Sequence, residues 1–279
     1  MFSRSRTYRR CPLRVAAALV IAAVAAPLEA QVGLGLAPLR IETRAPAGTT
    51  HTGTLSLTNE VPVRMRMRAE LLDFFLDETA TPQFARSIAA EAENSCRQWL
   101  TINPMEAEID PSTRLIARYT LRIPPGLPAR SFHCAVGFTV LPPAEEARHI
   151  GVRIAVRAVT VFYVVTGDPP IQGDLVELKL EPVKGSKQPL VCAVASFRNR
   201  GTMYFRPEGK VFLFDEKGNE VEQADLQALP VLPNRTQRIP VVLKNAVPGT
   251  KYTLKLQVDL GTHEIQEASV EAIVSATED

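Results

Sequence analysis

Apolar and polar residues alternate with period two along most of the chain. The clearest run is Val63-Arg64-Met65-Arg66-Met67-Arg68-Ala69-Glu70-Leu71, with Val, Met, Met, Ala and Leu on one face and charges on the other. Successive side chains of an extended strand point to opposite faces, so the run predicts a half-buried strand. Shorter runs predict strands over Leu36–Glu42, Thr52–Thr58, Trp99–Asn103, Arg114–Ile123, Ser131–Leu141 and Val152–Val165. Turn formers separate them, among them Ala45-Pro46-Ala47-Gly48, Asp110-Pro111 and Pro124-Pro125-Gly126. Ala80–Glu93 breaks the rhythm and reads as a loop with a short helix. About seven strands at short spacing is the pattern of an immunoglobulin-like sandwich.

Gly167-Asp168-Pro169-Pro170 punctuates the chain and reads as a link between domains. A second series follows: Leu175–Leu180, Val191–Arg198, Lys210–Phe214, Gln237–Leu243, Tyr252–Leu260 and Glu267–Val274. Asp215-Glu216-Lys217-Gly218-Asn219 is a polar glycine turn that predicts a hairpin after Phe214. The expected fold is all-β, with two tandem immunoglobulin-like β-sandwiches over residues 31–167 and 168–279.

Residues 1–30 interrupt this picture. Arg4, Arg6, Arg9, Arg10 and Arg14 precede an apolar run from Val15 to Ala26, and Pro27-Leu28-Glu29-Ala30 follows. This is the pattern of a secretory signal peptide, with cleavage expected after Ala30. The apolar run is short for a membrane span, and no later stretch approaches about 18 uncharged apolar residues, so no integral membrane segment is expected once the signal is removed. The segment also distorts the charge. The whole chain carries +2, residues 1–30 hold five arginines and one acid for +4, and the remainder is therefore −2. No basic excess remains for a nucleic-acid partner. The expected location is the periplasm, with full secretion left open.

Three cysteines follow the signal: Cys96, Cys134 and Cys192. Disulfides persist in exported proteins, and Cys96 and Cys134, in the same half of the chain, are the natural pair. Cys192 lies in an apolar strand and reads as a small buried hydrophobe. His51, His133, His149 and His263 are scattered singly, without zinc-site spacing. His133 is next to Cys134, but neighbours on a strand face opposite ways. There is no phosphate-binding glycine loop, Gly-x-Ser-x-Gly elbow or Cys-x-x-Cys. No metal, cofactor or enzymatic activity is expected. Asn234-Arg235-Thr236 matches the glycosylation sequon.

Ala37-Pro38-Leu39-Arg40-Ile41-Glu42, Leu55-Ser56-Leu57-Thr58-Asn59, Trp99-Leu100-Thr101-Ile102-Asn103-Pro104, Arg118-Tyr119-Thr120-Leu121-Arg122-Ile123-Pro124 and Ile154-Ala155-Val156-Arg157-Ala158-Val159-Thr160-Val161-Phe162-Tyr163 occur in that order. Together they resemble the first domain of the periplasmic pilus-assembly chaperones of the PapD-like type, over about residues 35–165. The resemblance implies a chaperone that caps pilus or surface-fibre subunits by donating a strand. Main-chain hydrogen bonds would supply affinity and alternate side chains would fill the subunit groove. The donor would be the last strand of the first domain, which is apolar on both faces: Ala158, Phe162 and Val164 on one, Val159, Val161, Tyr163 and Val165 on the other. A strand covered by the second domain would read the same way. The resemblance also implies two basic residues holding the subunit's terminal carboxylate. Arg40 fits the first, with Arg44 as its rival; the family's lysine is missing from the last strand, and Arg157 is the nearest base. The subunit-binding candidates are therefore Arg40, Arg157, Val159, Val161 and Tyr163. An outer-membrane usher is left open as a further partner. The competing reading is an immunoglobulin-like structural or adhesive protein without chaperone activity.

Overall fold

The computed structural model describes residues 33–141, 156–183 and 190–273; the expected signal peptide lies outside them. Ten strands form the first sandwich: β1 (Leu34–Ala37), β2 (Arg40–Arg44), β3 (Thr50–Asn59), β4 (Met65–Leu76), β5 (Pro82–Ala85), β6 (Leu100–Asn103), β7 (Glu106–Ile109), β8 (Arg114–Arg122), β9 (Arg130–Leu141) and β10 (Arg157–Thr166). One sheet runs β1-β3-β8-β6, and the other runs β2-β10-β9-β4-β5 with β7 on β4. Leu55, Leu57, Met67, Leu121, Phe138 and Phe162 fill the space between them.

The alternating run behaves as its pattern requires from Met65 onward: Met65, Met67 and Ala69 are buried while Arg66 and Arg68 are exposed. Val63 departs from it. The residue lies outside β4 and is exposed, because the chain turns there and Asn59 Nδ2 donates to Val63 O at 2.8 Å. The run Leu36–Glu42 is two strands rather than one. Pro38 lacks the N–H that a ladder needs, and the chain passes there from β1 in one sheet to β2 in the other. The irregular segment contains β5 and a 3-10 turn at Ala89–Asn94. It is fastened by the buried Asp73 carboxylate, which accepts from Ile88 N–H at 2.9 Å and Ser95 Oγ at 2.6 Å.

Cys96 and Cys134 form a disulfide that joins this loop to β9, with Cα atoms 5.3 Å apart. It closes a 38-residue separation, for which the chain-entropy account gives about 4 kcal/mol. Cys192 is a buried free thiol, and burial pushes its pKa up.

The second sandwich comprises β11 (Gly173–Pro182), β12 (Val191–Asn199), β13 (Glu208–Phe214), β14 (Glu220–Asp225), β15 (Thr236–Leu243), β16 (Lys251–Asp259) and β17 (Ile265–Ile273). Its sheets run β11-β12-β15 and β14-β13-β16-β17 around Phe197, Leu213, Ile239, Leu254 and Leu256. The glycine turn after Phe214 does make a hairpin, β13–β14, with Gly218 at φ +82°.

A third apolar cluster joins the sandwiches. Leu72, Phe74, Ala135, Tyr163 and Val165 pack on Met203, Tyr204 and Leu232. Polar contacts fix the junction: Ser131 Oγ donates to Thr202 O at 3.0 Å and accepts from Tyr204 N–H at 2.8 Å. Beside them, buried Glu91 takes hydrogen bonds from His133 Nε2 at 3.0 Å and from Arg235 Nε of the second sandwich at 3.0 Å. Burial pushes the Glu91 carboxyl up, but the hydrogen bonds from His133 and Arg235 outweigh it and hold the pKa below the usual value. His133 and Cys134 do face opposite ways, His133 toward this junction and Cys134 into the first core.

Candidate functional site

Strand β10 has one complete edge and one partial edge. Against β9 it pairs over its whole length, from Arg157 opposite Thr139 to Thr166 opposite Arg130. Against β2 the parallel pairing runs only from Val161, opposite Arg40, to Val165, opposite Arg44. Val161 N–H donates to Leu39 O at 3.0 Å, so the odd-numbered residues aim their backbone groups away from β9. Among the described residues, no strand pairs with Arg157 and Val159 on that side. The cause is local: upstream of Arg40 the chain leaves this sheet at Pro38, and Thr160 Oγ1 donates to Pro38 O at 2.7 Å where it departs.

The two faces of β10 also differ along its length. Phe162 and Val164 are buried in the first core, where the Tyr119 ring meets Phe162 edge-on at 5.1 Å. Gly53 makes room for that ring, since a Cβ there would fall 2.4 Å from the Tyr119 hydroxyl. On the opposite face the second sandwich covers Val165 and Tyr163, whereas Val161 and Val159 are half-buried. Tyr163 is 3% exposed, with its ring centre 4.7 Å from Tyr204 and 5.9 Å from Phe74. It is therefore an interdomain contact, and the exposed apolar surface narrows to Val159, Val161 and Leu39, the last 61% exposed. The reading of a strand covered by the second domain thus holds at Tyr163 and Val165, and Val159 and Val161 are left half-buried.

The two candidate basic residues do not come together. Arg40, with 55% of its side chain exposed, reaches Glu42 at 3.3 Å beside Val161. Arg157 stands four residues up the strand from Val161, about 13 Å away at ordinary strand rise. Its guanidinium turns the other way, donating to Thr139 Oγ1 and Glu70 at 3.1 Å each. Gly137 permits that path: a Cβ there would lie 3.0 Å from Arg157 Cδ. Arg44 reaches Asp168 at 3.5 Å.

Arg206, which precedes β13, was not singled out by the sequence pattern. Its guanidinium sits 4.7 Å above the Tyr163 ring and pairs with Glu42 at 3.1 Å, and its side chain is only 15% exposed. Arg40 and Arg206 thus share Glu42 at the foot of the open edge. Nothing local in the sequence marks Arg206, because its ion-pair partner Glu42 lies 164 residues away in the first sandwich. Burial raises the Tyr204 phenol to about 12, so both aromatic partners of this arginine stay neutral at physiological pH. The described residues contain no group of side chains suited to hold a metal ion.

No protein-family model matches the chain, and no curated protein resembles it in sequence. Solved structures with a similar course of the chain include the class 5 fimbriae chaperone CfaA, at 8% identity, 86% of this chain, 99% of that one and a TM-score of 0.43. The E. coli chaperone DraB aligns at 15% identity over 86% of this chain and 97% of its own, with a TM-score of 0.41. The CsuC–CsuE chaperone–tip adhesion subunit pre-assembly complex of Acinetobacter baumannii aligns at 12% identity over 88% and 99%, also with a TM-score of 0.41. Likeness of this degree carries no argument about what the chain does. No helix among the described residues is long and apolar enough to cross a membrane.

Proposed function

We propose that the chain is a periplasmic chaperone that binds pilus or surface-fibre subunits by donating strand β10. One observation carries the reading: among the described residues β10 is paired on one edge only over Arg157–Thr160, and that stretch adjoins the half-buried apolar side chains of Val159 and Val161. An open backbone edge with alternate apolar side chains is what strand addition requires. Proteins that gain nothing from such an edge blunt it with charge, a bulge or a covering segment. A structural or adhesive protein would be expected to do so over Arg157–Thr160.

In this reading the second sandwich closes the lower half of the face and sets where strand addition begins. A terminal carboxylate of the subunit would be received by Arg40 and Arg206, by displacing or sharing Glu42, through charge-assisted hydrogen bonds. Arg157 has no part in it, since it stands about 13 Å up the strand and turns away to Glu70. Co-expression with candidate subunits tests the proposal. Wild-type protein should co-purify with its subunit and Val161→Arg should not; co-purification that survives Val161→Arg would overturn it.

A further inference from the structure

The sheet β1-β3-β8-β6 presents an outer face rich in arginine and hydroxyl side chains. Its four strands read LGLA, THTGTLSLTN, RLIARYTLR and LTIN, without one acidic residue. Arg114, Arg118 and Arg122 recur at every fourth position of β8 and are exposed; at ordinary strand rise they stand about 13 Å apart. Each lies opposite a threonine of β3: Arg114 by Thr58, Arg118 by Thr54 and Arg122 by Thr50. Thr120 opposite Thr52, and Ile116 opposite Ser56, fill the intervals. From β6, Thr101 and Asn103 extend the same rows. The Glu60 carboxylate stands at the margin of the face beside Gly35, at the end of the row formed by Arg114 and Thr58.

The arginines of the other sheet show what a self-satisfied array looks like here. Arg64, Arg66 and Arg68 are answered from β7 and its end, by Asp110 at 2.8 Å and by Glu106 at 2.9 and 2.6 Å. Arg114, Arg118 and Arg122 have no ion-pair partner among the described residues, although the chain after residue 30 is net acidic. A regular row of unneutralised guanidiniums framed by hydroxyls along one sheet is complementary to an extended polymer with repeating carboxylates and hydroxyls.

We infer that this face binds a linear anionic polysaccharide. The guanidiniums would take the acidic groups, and the Thr, Ser and Asn side chains would hydrogen-bond the sugar hydroxyls. A lipid surface fits less well, because interfacial binding needs an apolar layer to insert and the exposed aliphatic on these rows is Ile116, at 52%. Single-stranded nucleic acid would require an aromatic stacking platform, and the face has none. The inference does not use the β10 edge, so its failure would leave the proposed chaperone function standing.

The test is binding of the purified chain to polygalacturonate, neutral dextran and phosphatidylglycerol vesicles, at low and at raised salt. Binding to polygalacturonate, weakened by salt and absent with dextran, is expected. The triple variant R114Q/R118Q/R122Q should lose about tenfold in affinity, as three exposed ion pairs of ordinary strength would give. The charge-matched variant R64Q/R66Q/R68Q should stay within about twofold of wild type, since its arginines are already paired. Thermal melting of both variants checks that they fold. Equal loss in the two triples, binding to vesicles but not to polygalacturonate, or no polygalacturonate binding by wild type would each overturn the inference.

Discussion

Val161 and Arg40 lie opposite each other where the parallel ladder of β10 and β2 begins, and that pair marks the boundary between the closed and open parts of the β10 edge. Below it Tyr163 and Val165 are sealed by the second sandwich, and above it Arg157 and Val159 meet no second strand among the described residues. The proposed activity follows from this division.

Arg206 should matter to both stability and binding. It stacks on Tyr163 and Tyr204 and neutralises Glu42. Arg206→Ala is expected to cost about 1–2 kcal/mol in urea unfolding, because a largely desolvated cation–π contact and an ion pair are lost together. Arg40→Ala, at an exposed site, should cost less than about 1 kcal/mol and show its effect in subunit affinity.

Glu91 should make the junction of the sandwiches sensitive to acid. Its pKa is depressed in the folded chain, so its contribution is complete above the ordinary carboxylate pKa of 4.5 and disappears as pH falls through the lower folded value. Unfolding free energy should therefore fall in that acidic window. Glu91→Gln should lose about 2–4 kcal/mol near neutral pH, by removing the carboxylate from a buried charge network, and should flatten that part of the pH profile. A variant with an unchanged profile would assign the acid sensitivity elsewhere.

The disulfide should stabilise the loop that carries Glu91. Replacing Cys96 and Cys134 together by Ser is expected to cost about 2–5 kcal/mol in denaturant titration. Alkylation before reduction should modify neither cysteine, and two more thiols should react after it.

Much of the fold was legible because period-two alternation marks which side of a strand meets the core, as Met65, Met67 and Ala69 do. What escaped was set by partners distant in the chain. Pro38 alone could not reveal that the strands on its two sides join different sheets. β5 and β7 are four-residue strands whose pairing with β4 leaves little periodic trace. Tyr163 and Val161 look alike in an apolar run, yet Tyr163 is buried against Tyr204 of the second sandwich while Val161 is half-buried at the rim of the same cluster. Arg157 was the nearest base in sequence, but Gly137 and Glu70 draw it across the sheet. Arg206 reaches Glu42 and the Tyr163 ring from a position no local pattern marks.

Amide hydrogen exchange along β10, with and without a bound subunit, tests the central claim most directly. In the free chain the N–H groups of Arg157 and Val159 should exchange rapidly while that of Val161, bonded to Leu39 O, exchanges slowly. In the complex all three should be slow, with protection at Arg157 and Val159 rising by about a hundredfold or more as ladder hydrogen bonds form. A stable complex in which Arg157 and Val159 keep exchanging as in the free chain would contradict strand donation by β10.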